Sequence, residues 1–284
     1  MKQELRTIQH DEDLCLEAYC FQGISQLFPN HFHDYYVIGF MEAGSRSLTC
    51  RNKEYIIKRG DVLLFHPGEN HGCAQRNGGT LDYRGINIPV KTMRFLAAEI
   101  TGQRELLGFS KNVIADREVG HFLISLHQKI MAKADKFEKQ ELLFLLLGML
   151  VERYGQSFEQ CALACGHEIQ AACLFMETHY RERISLEQLC EHSKLSKSTL
   201  LRAFIKSKGV TPYRYLQSFR ISRAKVLLEQ GVSPLEAALE TGFSDQSHFT
   251  NFFHQYIGLS PAAYRQIFQT SRIQISQGEQ RHGR

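Results

Sequence analysis

The sequence of 284 residues predicts a multidomain α+β protein, in which a β domain with flanking helices precedes an all-α domain. Up to residue 90, short runs rich in Val, Ile, Tyr and Phe alternate with turn-forming residues, which is typical of a sandwich or barrel. From residue 168 onward, apolar residues recur at helical spacing, and one helical pattern occurs twice. Charge separates the same two parts, with 15 Lys/Arg against 10 Asp/Glu from residue 168 on, and 19 against 20 before it.

The β part is predicted over residues 1–90, where turn signals such as Pro67-Gly68 separate the runs. Six of these runs have the length and composition of strands. The predicted strands are Cys15–Phe21, Tyr35–Met41, Ser47–Cys50, Glu54–Ile57, Val62–Phe65 and Leu81–Ile88.

Helical spacing begins after the last strand, and residues 91–154 are expected either to cover the β structure or to join two subunits. The expected helices are Met93–Ile100, Val119–Ala132 and Phe137–Tyr154. Residues 155–167 have no strong period and are predicted to be a linker, and residues 271–284 are predicted to be a frayed polar tail.

Composition narrows the classes of function. The eight cysteines form no C-x-x-C pair, and the chain is long enough to fold without disulfides. The N-terminus is polar and acidic, unlike a signal peptide, and the most apolar run, Leu142–Val151, is too short to cross a membrane. We therefore expect a cytoplasmic protein with no membrane segment, whose basic C-terminal part binds a polyanion.

The helical part, predicted over residues 168–270, contains an internal repeat. Residues 184–196 match residues 232–244 at an offset of 48, and each copy has a capping box followed by a turn and a second helix. The capping boxes are Ser185 with Gln188 and Ser233 with Glu236. Between the copies, Pro212–Gln230 is expected to form one helix, so the pattern predicts two helix-turn-helix units joined by a connector helix.

The second helix of the second copy has two different faces. Its aromatic residues recur at helical spacing, whereas its opposite face carries amide, hydroxyl and imidazole groups with few charges. The aromatic stripe is Phe249, Phe252, Phe253 and Tyr256. A face of this kind is suited to reading double-stranded DNA through the major groove. The equivalent helix of the first copy is expected to run from Lys197 to about Lys208.

Ten side chains on these two helices are the predicted DNA contacts. They are Lys197, Ser198, Leu201, Arg202 and Lys206 in the first copy, and Gln246, Ser247, Thr250, Asn251 and His254 in the second. Arg202 is the strongest candidate for base recognition, because a guanidinium can pair with both acceptors of guanine. Arg220, in the connector helix, is expected to contact a phosphate together with the lysines.

A second group of polar residues lies in the β part. His31 and His33 alternate by two and so share one side of the chain, and His71 follows a turn after a later strand. These histidines could ligate a metal, line a small-molecule pocket or serve only the structure of the domain. Cys50 and Cys73 could join such a site, although both also fit as small buried side chains.

Several motifs carry a resemblance to one family. They are His31-Phe32-His33, R-G-D-V-L-L-F-H-P-G-x-x-H over Arg59–His71, Y-L-x-x-x-R-I-x-x-A-x-x-L-L over Tyr215–Leu228, and G-F-S-D-Q-S-H-F over Gly242–Phe249. Taken together, they resemble the AraC/XylS family of bacterial regulators. The resemblance implies a cupin-like effector-binding β-barrel over residues 1–90 and an AraC-type double helix-turn-helix domain over residues 168–270.

The resemblance also implies partners and a site. It implies a transcription regulator rather than an enzyme, which binds a small-molecule effector, forms a homodimer through residues 91–154 and contacts RNA polymerase. The expected effector-binding residues are His31, His33, Tyr35, Arg51, His71 and Tyr83. Together, the side chains of Arg51, Tyr83 and Arg84 would suit an anionic or zwitterionic metabolite. The family often has arginine where Asn251 stands, so the second copy is expected to prefer adenine.

Two other interpretations stay open at this stage. Catalytic cupins carry a glutamate soon after the H-x-H pair, but here no glutamate follows His33 before Glu42. We therefore expect no metal and no cofactor, although a metalloenzyme fused to a DNA-binding module remains an alternative. A constitutive DNA-binding protein whose β domain only dimerises is the other.

Overall fold

The computed structural model describes residues 4–269 except 77, 103–104 and 158–165. The chain divides into two units, Met1–Ala164 and Cys165–Arg284. Most of the predicted linker and the predicted tail lie outside the described residues. Two ends of that linker are structured, because residues 155–157 form a strand and a helix begins at His167.

The first unit contains two antiparallel sheets that face each other. The larger has the strand order β1-β2-β9-β4-β7-β11, and the smaller has the order β3-β8-β5-β6. The strands are β1 Leu5–Asp11, β2 Leu16–Ile24, β3 Phe28–His31, β4 Tyr35–Ala43, β5 Ser45–Cys50, β6 Lys53–Lys58, β7 Val62–Phe65, β8 His71–Gln75, β9 Leu81–Pro89 and β11 Val113–Ile114. A separate pair is formed by β10 Leu107–Phe109 and β12 Gly155–Ser157.

All six predicted strands are present, but six more were not predicted. Strands β1, β3 and β8 are polar or contain proline, so their composition does not indicate β structure. They are strands because neighbouring segments pair with them: β1 pairs with the more apolar β2, β8 pairs with β5, and β3 pairs with β8. Strands β10, β11 and β12 lie in segments for which only helix or linker was expected, and they are two or three residues long.

The pleat of the larger sheet separates two faces. In β4, Tyr36 and Ile38 pack into a core shared with the helices, whereas Tyr35, Val37 and Gly39 point towards the smaller sheet. We call the region between the two sheets the inter-sheet region. The sheet alternation therefore decides which polar side chains can meet there.

Three helices cover the outer face of the larger sheet. They are α1 Val90–Thr101, α2 Arg117–Met131 and α3 Lys136–Tyr154. Helix α2 begins at the N-cap Asp116, whose carboxylate accepts hydrogen bonds from the amides of Glu118 and Val119. Several apolar residues of α2 and α3, such as Leu123 and Leu146, are fully buried in the shared core.

The second unit consists of helices. They are α4 His167–Thr178, α5 Leu186–Ser193, α6 Lys197–Lys208, α7 Pro212–Glu229, α8 Pro234–Glu240 and α9 Gln246–Ile257, followed by helical residues 261–269. Both predicted capping boxes are formed, at Ser185 and at Ser233. Gly209 and Gly258 end α6 and α9 with positive φ, so the two copies of the repeat have the same local structure. No helix among the described residues is long and apolar enough to span a membrane.

Candidate DNA-binding surface and effector site

Helix α6 buries one side and exposes the other. Leu200 and Phe204 are fully buried, and they fix the helix against the rest of the second unit. Of the predicted contacts, Leu201 is half-buried and the other four are exposed on one side. The structure therefore brings the five predicted residues of the first copy together on one surface.

Two of these side chains already have partners within the protein. The Lys197 ammonium forms an ion pair with Glu187 of α5, and both side chains are mostly exposed. The ion pair raises the pKa of Lys197 and lowers the pKa of Glu187. The Arg202 Nε atom donates to the main-chain oxygen of Ser198 at 3.3 Å, one turn earlier. Since exposed pairs of this kind are weak, both side chains can rearrange towards DNA.

Helix α9 repeats the arrangement with different chemistry. Phe249, Phe253 and Tyr256 are buried, as the aromatic stripe predicts, whereas Phe252 is half-buried. The opposite side exposes four predicted contacts, and the fifth, Thr250, is half-buried. The exposed four are Gln246, Ser247, Asn251 and His254.

The expected role of Arg220 as a phosphate contact is wrong. Its side chain is buried, with Nε donating to the main-chain oxygen of Tyr180 and Nη2 to that of Glu182, both at 2.7 Å. The guanidinium also lies 5.9 Å from the ring centre of Phe243, in the turn of the second copy. Arg220 has no surface left for a phosphate, because the connector helix packs between the two copies.

Gly242 reinforces the same junction. It has a φ of +82°, and a Cβ atom there would lie 2.7 Å from the oxygen of Tyr180 and 2.8 Å from that of Arg181. A side chain at this position would push the second copy away from the turn that precedes α5. Gly242 therefore ends α8, as predicted, and also allows close contact between the copies.

The three histidines of the β unit meet at one end of the inter-sheet region. The His31 and His71 rings lie 4.6 Å apart, and His33 lies 4.6 Å from His31 and 5.2 Å from His71. Tyr35 stacks on His33 at 4.6 Å, and Phe65 stacks on His71 at 4.0 Å. The structure thus brings four predicted effector-binding residues into one cluster, which we call the histidine cluster: His31, His33, Tyr35 and His71.

Main-chain carbonyls set the tautomers in this cluster. His31 Nδ1 lies 2.7 Å from the oxygen of Pro29, and His71 Nδ1 lies 2.9 Å from that of Glu69, so both Nδ1 atoms donate. Burial lowers the pKa of His31 to about 3 and also lowers that of His71, so both rings are neutral at pH 7. The His33 Nε2 atom donates to His31 Nε2 at 3.1 Å. The Nε2 atoms of His31 and His71 are therefore acceptors, and that of His31 accepts from His33.

The geometry also satisfies a simple requirement for a metal. One nitrogen from each of the three rings can be chosen so that all lie within 4.8 Å of one another. A ring that donates its other nitrogen to a carbonyl is oriented as in known metal sites, and imidazole suits zinc and other divalent metals. His31, His33 and His71 therefore fit a divalent metal as three ligands.

The two remaining predicted effector residues behave differently. Arg51 is in the two-residue turn between β5 and β6, where it pairs with the buried Glu69 carboxylate at 2.5 Å. Burial would raise the pKa of Glu69, but its hydrogen bonds with His66 and the charge of Arg51 lower it. Tyr83 points into the inter-sheet region, and its hydroxyl occupies the space beside Gly39. Arg51 thus has a carboxylate already, whereas Tyr83 lines the region between the sheets.

Arg84 does not belong to this site, contrary to expectation. It follows Tyr83 in β9 and therefore lies on the opposite face of the sheet, towards α2. There it pairs with Glu42 at 2.6 Å and lies 3.5 Å from His127 Nδ1. Its position follows from the alternation of side chains along β9.

Sequence reasoning missed two residues in the inter-sheet region, Arg46 and Tyr19. Arg46 is fully buried in β5 and donates to the main-chain oxygen of Ile24 in the facing sheet. Tyr19 lies 5.4 Å from the Tyr83 ring, and its hydroxyl occupies the space beside Gly85. The alternation Arg46, Leu48, Cys50 could have placed Arg46 inside, because the other two are typical buried residues.

Comparisons with known proteins agree with this organisation. Residues 13–147 match the AraC-like ligand binding domain, and residues 189–267 match a helix-turn-helix domain. The HTH-type transcriptional regulator YbfI of Bacillus subtilis (strain 168) is 47% identical over 249 residues, covering 87% of this chain and 90% of that protein. The chain belongs to the AraC family. It is therefore a sequence-specific DNA-binding transcription regulator with a ligand-binding N-terminal domain.

Other similar proteins are more distant but cover nearly as much. The HTH-type transcriptional activator RhaS of Shigella boydii is 25% identical over 251 residues, which is 84% of this chain and 88% of that protein. The crystal structure of ToxT from Vibrio cholerae with a bound unsaturated fatty acid has a TM-score of 0.55 and 19% identity. It covers 93% of this chain and 97% of ToxT. At this identity, the likeness to ToxT shows the fold.

Proposed function

We propose that α6 and α9 are the two recognition helices of this AraC-family regulator, entering neighbouring major-groove segments on one face of DNA. The observation that carries the proposal is the shared local structure of the two helices, each with a buried stripe and an exposed hydrogen-bonding side. Two such helices in one unit can read segments about one turn of DNA apart, roughly 34 Å.

Each predicted contact then has a chemical role. Arg202 would pair with guanine, Leu201 would contact a thymine methyl group, and Gln246 and Asn251 would pair with adenine. Ser198, Ser247 and Thr250 can donate or accept, and so suit several bases. The phosphate contacts would be Lys197, Lys206 and His254.

The test is selection of binding sites from random duplex DNA, followed by methylation interference on the selected site. We expect a bipartite site whose two halves are about one helical turn apart, with a guanine essential in one half. A single short half-site with no second element would contradict the proposal that both helices read DNA.

We further propose that the effector binds between the two sheets, next to the histidine cluster and Tyr83. The support is that polar side chains converge there inside an otherwise apolar interior, which is the usual composition of a small-molecule site. Arg51 would act indirectly, by holding Glu69, whose main-chain oxygen orients His71. The effector can regulate DNA binding only if it binds one conformation or assembly better than another.

We propose that the regulator forms a homodimer through α3. Phe137 and Leu145 are 73% and 47% exposed, which is unusual for large apolar side chains on one helix. Gly148, on the same helix, has no atom of the described residues within 4 Å of an added Cβ. A glycine inside a helix costs about 0.5–1 kcal/mol relative to alanine, and close approach by a second helix would account for it.

Sedimentation analysis tests the dimer. We expect Phe137→Glu combined with Leu145→Glu to give a monomer, while Ile56→Glu, at an exposed apolar residue in β6, stays dimeric. A double variant that sediments as the wild type would show that α3 is not the interface.

We also propose that the protein is a cytoplasmic regulator without enzymatic activity, which activates transcription by recruiting RNA polymerase. The support for activation is that the relative RhaS is named a transcriptional activator. In vitro transcription with purified polymerase tests this: we expect more transcript with the regulator and its selected site, and less transcript would indicate repression.

The second candidate function is metal-dependent, and the three convergent imidazoles favour it. His31, His33 and His71 would hold the ion, and a divalent metal would supply Lewis-acid chemistry. Elemental analysis of the purified protein, with His71→Ala as the control, decides between the two candidates. Less than about one tenth of an equivalent of bound metal per chain would contradict a metal-dependent function.

A further inference from the structure

Arg46 is a fully buried cation in the middle of the effector-binding unit. Its position in β5 directs the side chain between the sheets, in line with Leu48 and Cys50. One of its nitrogens, Nη2, donates to the main-chain oxygen of Ile24. Its exposed fraction is 0%, so water does not solvate the remaining donors.

Those remaining donors have no partner. Neither Nε nor Nη1 of Arg46 has a hydrogen-bond acceptor among the described residues. A guanidinium stays protonated in proteins, so the group carries a full charge into the interior. Burying a charge without a counterion is strongly unfavourable, and such groups are normally paired.

Neighbouring acids do not supply that counterion. Arg51 and Arg84 each have their own carboxylate, from Glu69 and Glu42, so Arg46 differs from these two arginines. Glu4 attracts Arg46 electrostatically, but the Glu4 carboxylate is bonded to Arg6 and to Ser25. Among the described residues, no carboxylate forms an ion pair with Arg46.

Two partly exposed side chains lie on the same side of the sheets as Arg46. Cys73 and Tyr83 both point into the inter-sheet region, and both keep part of their surface exposed. Cys73, in β8, lies opposite Leu48, which is the next residue after Arg46 on the same face of β5. The Cys73 thiol is close enough to Arg46 to affect the pKa of the guanidinium. A ligand that reaches Cys73 would thus lie close to the two donors of Arg46 that have no acceptor among the described residues.

We propose that Arg46 binds the anionic group of the effector, a carboxylate or a phosphate, in the inter-sheet region. The inference rests on the proposal that the effector binds between the sheets, and it specifies the ligand class. The ligand-free protein then carries a destabilising charge that the effector neutralises, because an arginine pairs well with either anion.

The first test compares ligand-free proteins by thermal unfolding. Arg46→Met removes the charge while keeping most of the volume, so we expect a melting temperature equal to the wild type or about 2–4 °C higher. The matched control is Arg51→Met, which removes the arginine partner of the buried Glu69 carboxylate and should melt lower. If Arg46→Met melts several degrees lower than the wild type, Arg46 is structural and the proposal is wrong.

The second test measures ligand-induced stabilisation with three sets of probes. They are small carboxylates of increasing chain length, their primary amides, and inorganic phosphate with sugar phosphates. We expect at least one carboxylate or phosphate to raise the melting temperature of the wild type, and its neutral counterpart to leave that temperature unchanged. The melting temperature of Arg46→Met should not change with either probe. Arg46→Lys should still be stabilised by the same probe, with an apparent affinity at least tenfold weaker than that of the wild type. The carboxylate and phosphate arms separate the two sources of negative charge.

The outcomes also separate this inference from the proposed function. If neutral amides or sugars stabilise the wild type and Arg46→Met equally, the effector binds between the sheets but is not an anion. If no carboxylate or phosphate raises the melting temperature of the wild type, the proposal that the effector is an anion is wrong as well. Selected-site DNA binding by the wild-type protein, measured without any added probe, tests the DNA-binding function independently of either result.

Discussion

Arg220 donates a 2.7 Å hydrogen bond from Nε to the main-chain oxygen of Tyr180, which joins the connector helix to the turn before the first helix-turn-helix unit. A second bond reaches Glu182, and the guanidinium lies over Phe243 of the other unit. One side chain thus joins the turn before the first copy to the turn of the second copy. If α6 and α9 read one face of DNA, as proposed, their separation must stay fixed, and this junction bears directly on binding.

Arg220→Met should reduce stability and impair bipartite recognition. Two main-chain carbonyls lose a charged hydrogen-bond donor, which costs about 1–3 kcal/mol of unfolding free energy, measured by urea titration. If Arg220 also sets the spacing of the two helices, the folded variant should discriminate less between selected sites whose half-site spacing differs by one base pair. A variant that is less stable but equally selective for spacing would show a role in stability alone.

Arg202→Ala should weaken binding to the selected site by about 1–3 kcal/mol and relax the preference for one base. The reason is the loss of paired hydrogen bonds to guanine, which neither Leu201 nor Ser198 can replace. Fluorescence anisotropy on the selected site, on sites changed at one base and on random DNA provides the measurement. Lys206→Ala is the matched control, since loss of a phosphate contact should lower affinity evenly across all these sequences. Equal loss on all of them for Arg202→Ala would make it another phosphate contact.

Gly39→Ala should destabilise the β unit through Tyr83. A Cβ at Gly39 would lie 1.9 Å from the Tyr83 hydroxyl, so the tyrosine or the strand must move. Overpacking of this kind costs about 1–3 kcal/mol. The variant Tyr83→Phe lacks the hydroxyl and should recover part of that loss when combined with Gly39→Ala, which a double-mutant cycle of unfolding free energies detects. Strict additivity of the two substitutions would contradict the contact.

Acid should destabilise the β unit through His127. Burial lowers the pKa of His127 from 6.5 to about 4, the bond to the Tyr19 carbonyl opposes this change, and the charge of Arg84 adds to it. The unfolded chain therefore binds a proton that the folded chain rejects, so this contribution to stability is complete above pH 6.5. It is lost as the pH falls from 6.5 towards 4, at up to about 1.4 kcal/mol per pH unit.

His127→Gln should reduce that slope, because a glutamine does not titrate and can still donate to Tyr19. Unfolding free energies at several pH values between 4 and 7 provide the measurement. His121→Gln, an exposed histidine on the same helix, is the control and should leave the slope unchanged. An unchanged slope in His127→Gln would assign the acid sensitivity to other groups.

The candidate effector site could be predicted only in part. The pattern of His31, His33 and His71 indicated a cluster, because alternation and a turn place these side chains on one side. The pattern could not show that Glu69 would neutralise Arg51, since ion pairs between distant segments depend on how strands are paired. The same limit applies to Arg84, whose face of β9 is fixed by register with β4.

The sequence by itself determined the two helix-turn-helix units, because capping boxes, glycine stops and apolar spacing act within one or two turns of chain. It also determined most of the central strands, whose composition favours β structure without help. Only the tertiary structure decided that Arg220 lies inside and that β1, β3 and β8 are strands, because these depend on which other segments pack against or pair with them. It also decided that Arg46 has no ion-pair partner among the described residues, since that follows from what surrounds the side chain rather than from its own segment.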